Sequence, residues 1–287
     1  MSLWGILAIN SVAFGGLLFL LSAGFSLIFG LMRIPNLTHG SMFMLGGYIG
    51  ASLNLAYHLP FWLAALGAAA TVAVFGGLIE RLLLRRLAGS VLAQVLVTLG
   101  ISFIVADFCL LAWGGDPVSV ATPPGLTGGV RAFGLYFTTY RFAIILVACV
   151  VAALLWALLD RTRLGAMIRA GVDDPEMARV VGIRVSRLFT TVFCLGAALA
   201  GFGGIMGAPV LTVYPGLDGD MLPLALVIVI LGGAGSLLGS LVGSFLIGIL
   251  YNFGQAMFPE LAYFVLFLPM VLVLVLRPQG LFGRYAP

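Results

Sequence analysis

An all-α, polytopic membrane fold is what this sequence predicts, and three observations predict it. First, 62% of the 287 residues are hydrophobic and only 8% are charged, where a soluble domain carries about 25% charged residues. Second, the apolar residues form long continuous runs, several exceeding the ~20 residues that a helix needs to cross a bilayer. Alternating segments of about ten residues, the mark of an outer-membrane barrel, are absent. Third, charge is segregated along the chain. Every one of the fourteen basic residues is arginine, and six of them fall between Arg161 and Arg187.

The runs place spans at 5–31, 37–57, 60–80, 91–113, 139–160, 188–211, 221–234, 237–257 and 260–276. That is about 8–9 transmembrane helices, some broken or short, in a single transmembrane domain over 1–287. The seventh is short for a full crossing and ends at Gly232-Gly233-Ala234-Gly235-Ser236, so it reads as a broken or re-entrant helix. Orientation follows from the excess of arginine in cytoplasmic loops. With 161–187 in the cytoplasm, twelve of the fourteen arginines lie inside, among them Arg33, Arg81, Arg85, Arg86, Arg277 and Arg284. Only Arg131 and Arg141 remain outside. The C-terminus is then cytoplasmic and the N-terminus external. The opening Met-Ser-Leu-Trp-Gly has no basic region, so no cleaved signal peptide is expected. The external connection 114–138 carries the turn signals Gly-Gly-Asp-Pro and Thr-Pro-Pro-Gly.

Several functions are excluded or disfavoured by composition. The net charge of +4 reflects loop bias, and no soluble basic face exists for nucleic acid. With no lysine, a Gly-x-x-x-x-Gly-Lys-Ser/Thr phosphate loop cannot occur, so this chain does not hydrolyse ATP by that route. Cys109, Cys149 and Cys194 lie in apolar runs and read as small hydrophobes. No Ser/His/Asp set, Cys/His pair or His-Glu-x-x-His string appears, so no catalytic residues, cofactor or metal site are expected.

The arginine-rich loop carries the clearest local structure. Asp174 can cap a helix, Pro175 suits its first position, Glu176 favours the positive end of its dipole, and Gly182 suits its stop. Met177, Val180 and Val181 share one face. That stripe either docks a partner or packs on the inner ends of the chain's own spans, and spacing alone leaves both open. Ile34-Pro35-Asn36-Leu37-Thr38-His39-Gly40-Ser41 joins the first two spans, with Pro35 fixing a bend. Its polar groups Asn36, Thr38, His39 and Ser41 line a translocation path or gate, or else form a capping turn, since unpaired backbone in a membrane needs protein or water around it. The glycines 232, 233, 235, 239, 243 and 248 read as helix packing, with 235–239–243 on one face. A hinge at Gly232-Gly233 is the alternative. Asp107 is a carboxylate inside a run. Such groups are functional candidates by default, although a structural partner or an outer vestibule would also account for it.

In order and spacing these stretches resemble the permease subunits of branched-chain amino acid ABC importers, the LivH-type family. The likeness rests on Asn36-Leu37-Thr38-His39-Gly40, Met44-Leu45-Gly46-Gly47-Tyr48, Arg161-Thr162-Arg163-Leu164-Gly165, Arg169-Ala170 and Asp174-Pro175-Glu176-Met177-Ala178. It continues through Gly182-Ile183, Leu231-Gly232-Gly233-Ala234-Gly235-Ser236 and Arg277-Pro278-Gln279-Gly280-Leu281-Phe282-Gly283, spanning nearly the whole chain. Leu37 and Thr38 replace the Phe-Ala usual in the first motif, a departure that bears on substrate identity and not on fold.

The resemblance implies a location in the bacterial inner membrane and a separate cytoplasmic ATPase. That ATPase would dock on a coupling segment comprising Arg169, Ala170, Asp173, Asp174, Glu176, Met177, Ala178, Val180, Val181 and Gly182. It also implies a second, homologous permease subunit and a periplasmic substrate-binding protein that meets loops 114–138 and 212–220. The path or gate would include Asn36, Thr38, His39, Gly40, Ser41, Gly46, Gly47, Gly232, Gly233 and Gly235. Urea or short-chain amides are the nearest alternative cargo. An ion-coupled secondary transporter relying on Asp107, and a membrane-embedded enzyme, are the competing classes.

Overall fold

The computed structural model describes residues 2–32, 36–132 and 135–283. The bend expected at Pro35 and the loop residues Arg33, Ile34 and Arg284 lie outside the described residues. Nine helices correspond to the nine expected segments: α1 (Ser2–Met32), α2 (Thr38–Leu55), α3 (Phe61–Leu82), α4 (Val91–Trp113), α5 (Thr139–Arg161), α8 (Val185–Leu211), α9 (Leu217–Gly232), α10 (Leu237–Met257) and α11 (Ala262–Leu276). Between α5 and α8 lie two further helices, α6 (Arg163–Asp173) and α7 (Pro175–Val180). Among the described residues, six helices are long and apolar enough to cross a membrane. The short ones are α2, α9 and α11, with 18, 16 and 15 residues.

The all-α expectation holds apart from a two-stranded antiparallel hairpin, β1 (Gly129–Ala132) with β2 (Leu135–Thr138). It occupies the 114–138 connection, where Leu-Tyr-Phe-Thr suits a strand.

The arginines mark one end of the bundle. There the 3-10 turn Leu84–Leu87 meets the start of α8 through Arg85 Nη2, which donates to Ser186 O at 3.0 Å. The segment after α11 folds onto the end of α9, with Leu281 N donating to Leu231 O at 2.8 Å and Phe282 N to Gly232 O at 3.1 Å. At the opposite end a β-bridge joins Val118 to Val213, so the connections after α4 and α8 meet.

α2 lies at the centre, buried without interruption from Thr38 to Tyr48. It packs between α3, α4, α8 and α9. A helix hidden from lipid needs no strongly apolar surface, which is why one carrying Thr38, His39 and Ser41 can sit in a membrane. Its contact with α8 is backbone to backbone. A methyl group on Gly46 would lie 2.3 Å from Gly201 Cα, and one on Gly204 would lie 2.0 Å from Phe43 O. Such close approach is the usual means of helix association in lipid, where apolar side chains gain little by leaving the hydrocarbon.

Side-chain contacts fix the depth of α2. Thr38 Oγ1 donates to Thr98 O at 3.0 Å, Ser41 meets Ser102 at 2.7 Å, and Trp113 Nε1 donates to Ser52 Oγ at 2.6 Å. The offset stays at 60 to 61 residues, so α2 and α4 run parallel, and α2 begins seven residues along α4, about 10 Å in from the arginine-rich end. α9 does the reverse. The chain leaves α8 at the far end, re-enters, and starts α9 at mid-depth, where Ser41 Oγ donates to Asp218 Oδ2 at 3.0 Å. From there α9 runs to the arginine-rich end. The expected segment 221–234 therefore crosses as an extended stretch followed by a shortened helix, and does not turn back as a re-entrant hairpin. Its helix starts four residues before the expected 221.

Candidate functional site

Two constellations stand out, one at the arginine-rich end and one at mid-depth. In the first, Asp174 caps α7 as the sequence predicts. Its Oδ1 accepts from Glu176 N at 3.0 Å and Met177 N at 2.9 Å, with Pro175 in the first turn. The helix closes in a Schellman motif. Ile183 N donates to Ala178 O at 2.9 Å and Gly182 N to Arg179 O at 3.0 Å, with Gly182 at φ +89°, the left-handed conformation that glycine adopts without steric cost.

α6 brings Arg169, Ala170 and Asp173 to the same segment. Ile168 on α6 packs against Leu188 and Val192 of α8, and Thr162 caps the helix by accepting from Gly165 N at 3.3 Å. Arg169 Nη1 reaches back to Leu159 O and to Asp160 Oδ1. Ala178 is buried, while Met177, Val180 and Val181 are exposed. Glu176 is also exposed.

The second constellation is the junction of the starts of α2 and α9. A carboxylate only accepts, so Ser41 donates to Asp218 Oδ2, and Ser102 of α4 donates to Ser41. Gly40 lies against Asp218, where a methyl group would stand 2.7 Å from its carbonyl oxygen. Asn36 Oδ1 accepts from Thr38 N at 3.2 Å. His39 is fully buried; its Nε2 donates to Leu21 O at 2.9 Å and its ring contacts Phe25. Beside the junction, Tyr214 OH donates to the exposed Asp220. Ser102 sits eleven residues along the 23-residue α4, so this chain of hydroxyls and carboxylate lies near its midpoint, about 16 Å from either end.

The structure gathers Asn36, Thr38, His39, Gly40 and Ser41 at this junction. Gly46 and Gly47 lie farther along α2, against Gly201 and against Val213 with Gly204. Gly232, Gly233 and Gly235 are elsewhere, at the arginine-rich end. A methyl group on Gly232 would stand 2.4 Å from the Gly239 carbonyl, and one on Gly233 would stand 2.5 Å from Gly283 N. Gly235 does not share a helix face with Gly239 and Gly243, because α10 begins at Leu237 and Gly235 sits in the preceding turn at φ +78°, against Gly30.

Asp107 is exposed, with no polar partner among the described residues. The buried residues of α4, Gln94, Thr98, Ser102, Val105 and Cys109, form one stripe toward α2. At about 100° per residue Asp107 points roughly 180° away from that stripe.

Sequence reasoning missed Asp218, Asp220, Ser102 and Thr98. The signal for the first two was the length of the seventh run, since a helix too short to span must begin inside the membrane, and its first turn contains both carboxylates. It also missed Glu80, buried at the end of α3. Glu80 Oε2 accepts from Arg85 Nη2 at 3.2 Å and from Thr190 Oγ1 at 2.7 Å.

Helices that start within the membrane and meet there are a device of membrane transporters, and the fold is that of a multi-pass membrane protein built in this way. Direct comparison gives the family. The profile described as "Branched-chain amino acid transport system / permease component" matches residues 7–274, and the chain belongs to that family. It is similar to the high-affinity branched-chain amino acid transport system permease protein BraD of Pseudomonas aeruginosa, at 28% identity over 96% of this chain and 94% of the relative. LivH of Escherichia coli K12 is 27% identical over 96% and 94%. LivM of the same organism is 27% identical over 93% of this chain and 68% of its own length. These relatives fit the branched-chain reading and not the urea or amide alternative.

Proposed function

We propose that this chain is one of two permease subunits of an ATP-driven importer of branched-chain amino acids, with a periplasmic protein delivering the cargo. The observation that carries the reading is the mid-depth junction of α2 and α9 inside a member of this family. Two helix starts aim the positive ends of their dipoles at one place, which suits the carboxylate of an amino acid. Asp218 presents the opposite charge to its ammonium group. The arginine-rich end is cytoplasmic by the positive-inside rule, which puts the C-terminus there too. α6 and α7 form the coupling segment. Its exposed Met177, Val180 and Val181 offer an apolar contact to an ATPase subunit, and the two caps keep α7 folded while it is presented. The binding protein meets the far end, where the Val118–Val213 bridge ties the two external connections together.

Asp107 supports a position for the second permease. A carboxylate facing directly away from its own bundle is costly in lipid, so the outer face of α4 is set against the partner permease and the aqueous path between the two. The similarity of this chain to both LivH and LivM supports a related second chain as that partner. Asp107 lies on the opposite side of α4 from the junction, which lends nothing to an ion-coupled mechanism.

Mild-detergent purification of the tagged chain from its native membrane, with mass spectrometry of the co-purifying proteins, tests this reading. ATPase subunits and a second permease are the expected companions. Recovery of the chain alone, from a preparation that preserves other complexes, overturns it.

A further inference from the structure

Behind the coupling segment lies a cleft of about 470 Å³, walled by the end of α3, the 3-10 turn, α4, α6, α7 and the start of α8. Its size falls in the range of small-molecule sites, about 300–1,000 Å³. Pro175 and Arg179 form the α7 wall. With 3.6 residues per turn they lie roughly opposite the exposed Met177, Val180 and Val181. A partner that docks on that stripe therefore leaves the cleft open, and whatever fills the cleft stands as a wedge behind α7.

The lining describes its ligand. Leu84, Val172, Val185 and Phe189 give the cleft apolar walls, and charges of both signs line it with them. Among the described lining residues Arg179 is the free cation and Asp173 the free carboxylate, Arg85 and Glu80 being already paired with each other. Gln94 adds a specific demand. It is 3% exposed, its Nε2 donates to Leu84 O at 3.1 Å, and its Oε1 is buried with no hydrogen-bond partner. A buried acceptor left unmet is costly, so the wall is built for a donor.

The geometry points to a regulatory site for a free α-amino acid with an aliphatic side chain. Its ammonium group meets Gln94 Oε1 and Asp173, its carboxylate meets Arg179, and its side chain enters the apolar pocket. The ligand class is that of the proposed cargo, so this inference rests on the functional reading above. Occupied from the cytoplasm, the wedge holds α7 against the movement that an ATPase must impose on it, and accumulated product slows its own import.

The test uses the whole importer in phosphatidylcholine–phosphatidylglycerol vesicles, with binding protein outside and ATP inside. The initial uptake of labelled leucine is followed while unlabelled leucine in the lumen is varied. Uptake is expected to fall saturably as internal leucine rises. That dependence is lost in Gln94→Met, and also in Ala88→Phe, which fills the cleft from an exposed position on its rim. Both variants should keep the wild-type rate with an empty lumen. No uptake by the wild type at all would sink the functional reading itself. Wild-type uptake indifferent to internal leucine overturns the cleft proposal alone, as does inhibition that survives in both variants. Inhibition that follows added phosphatidylethanolamine instead of leucine assigns the cleft to a lipid head group and also overturns it.

Discussion

Replacing Met177 and Val180 together by glutamate should uncouple this permease without unfolding it. Met177 is 59% exposed and Val180 is 79% exposed, so neither contributes much to the isolated fold, and substitutions at such positions usually cost within about 0.5 kcal/mol. If an ATPase covers them, each forfeits its exposed share of the roughly 1.5–3 kcal/mol gained by fully burying such a side chain. Three-fifths of one and four-fifths of the other make about 2–4 kcal/mol. Carrying two unpaired carboxylates into the interface adds at least ~2 kcal/mol more. At 1.4 kcal/mol per tenfold, association weakens by about a thousandfold or more. Thermal unfolding of the purified permease, co-purification of ATPase subunits and leucine uptake in vesicles read the three consequences separately. An unchanged unfolding midpoint with both other signals lost is expected. Uptake and co-purification at wild-type levels would refute the docking role of the stripe, and a collapsed midpoint would show that the two side chains serve the fold.

Four other substitutions probe the bundle. Gly46→Val drives side-chain atoms into the Gly201 backbone; overpacking of this kind costs about 1–3 kcal/mol, seen as a lower unfolding midpoint, and an unchanged midpoint would contradict the backbone contact between α2 and α8. Asp218→Asn keeps an acceptor for Ser41 but removes the charge offered to the cargo; losing a charged hydrogen bond, about 1.5–3 kcal/mol, should cut uptake about tenfold or more with assembly intact. Arg85→Ala strands Glu80, whose side chain is 2% exposed, at a cost of about 3 kcal/mol, whereas Glu80→Gln costs less because Arg85, at 36%, still reaches water. Equal midpoints for these two variants would argue against that asymmetry.

The nine helical segments were legible because a membrane span writes itself as a run of apolar residues, and α7 was legible because caps are local. What escaped notice depends on neighbours distant in sequence. Glu80 reads as an ordinary loop-side carboxylate until Arg85 and Thr190 close on it. Asp218 and Asp220 read as the tail of an external loop, since Pro223 discourages placing a helix start ahead of it. The structure nevertheless carries Pro223 as the seventh residue of α9, past the first turn, where the helix forgoes the backbone bond to the carbonyl of Gly219. α6 was hidden because its pattern is amphipathic and lies among arginines, so it carries no apolar run. Its apolar face becomes evident only against Leu188 and Val192.

The two sites are joined by α8, and the joint is rigid. α7 passes into α8 through a turn of four residues, 181–184, so a force on α7 acts at the end of α8. Along its length α8 offers glycine to every central neighbour: Gly196 to α1 at Gly24, Gly201 to α2 at Gly46 and to α3 at Val72, and Gly204 to α2 at Phe43 and Gly47. Interleaved side chains can absorb a small shift by changing rotamer; backbones in contact have no rotamers to change, and close-packed interiors transmit strain. A displacement imposed on α7 therefore reaches α2 as a movement of the whole α1–α2–α3–α8 block. α9 meets that block at its start, through the Ser41–Asp218 hydrogen bond and the packing of Gly40 on Asp218, while its end is tied to the folded-back segment after α11. Under the proposed function, the contact between Ser41 and Asp218 is where a block driven from the cytoplasm meets α9, and the place at which a path between them would open or close.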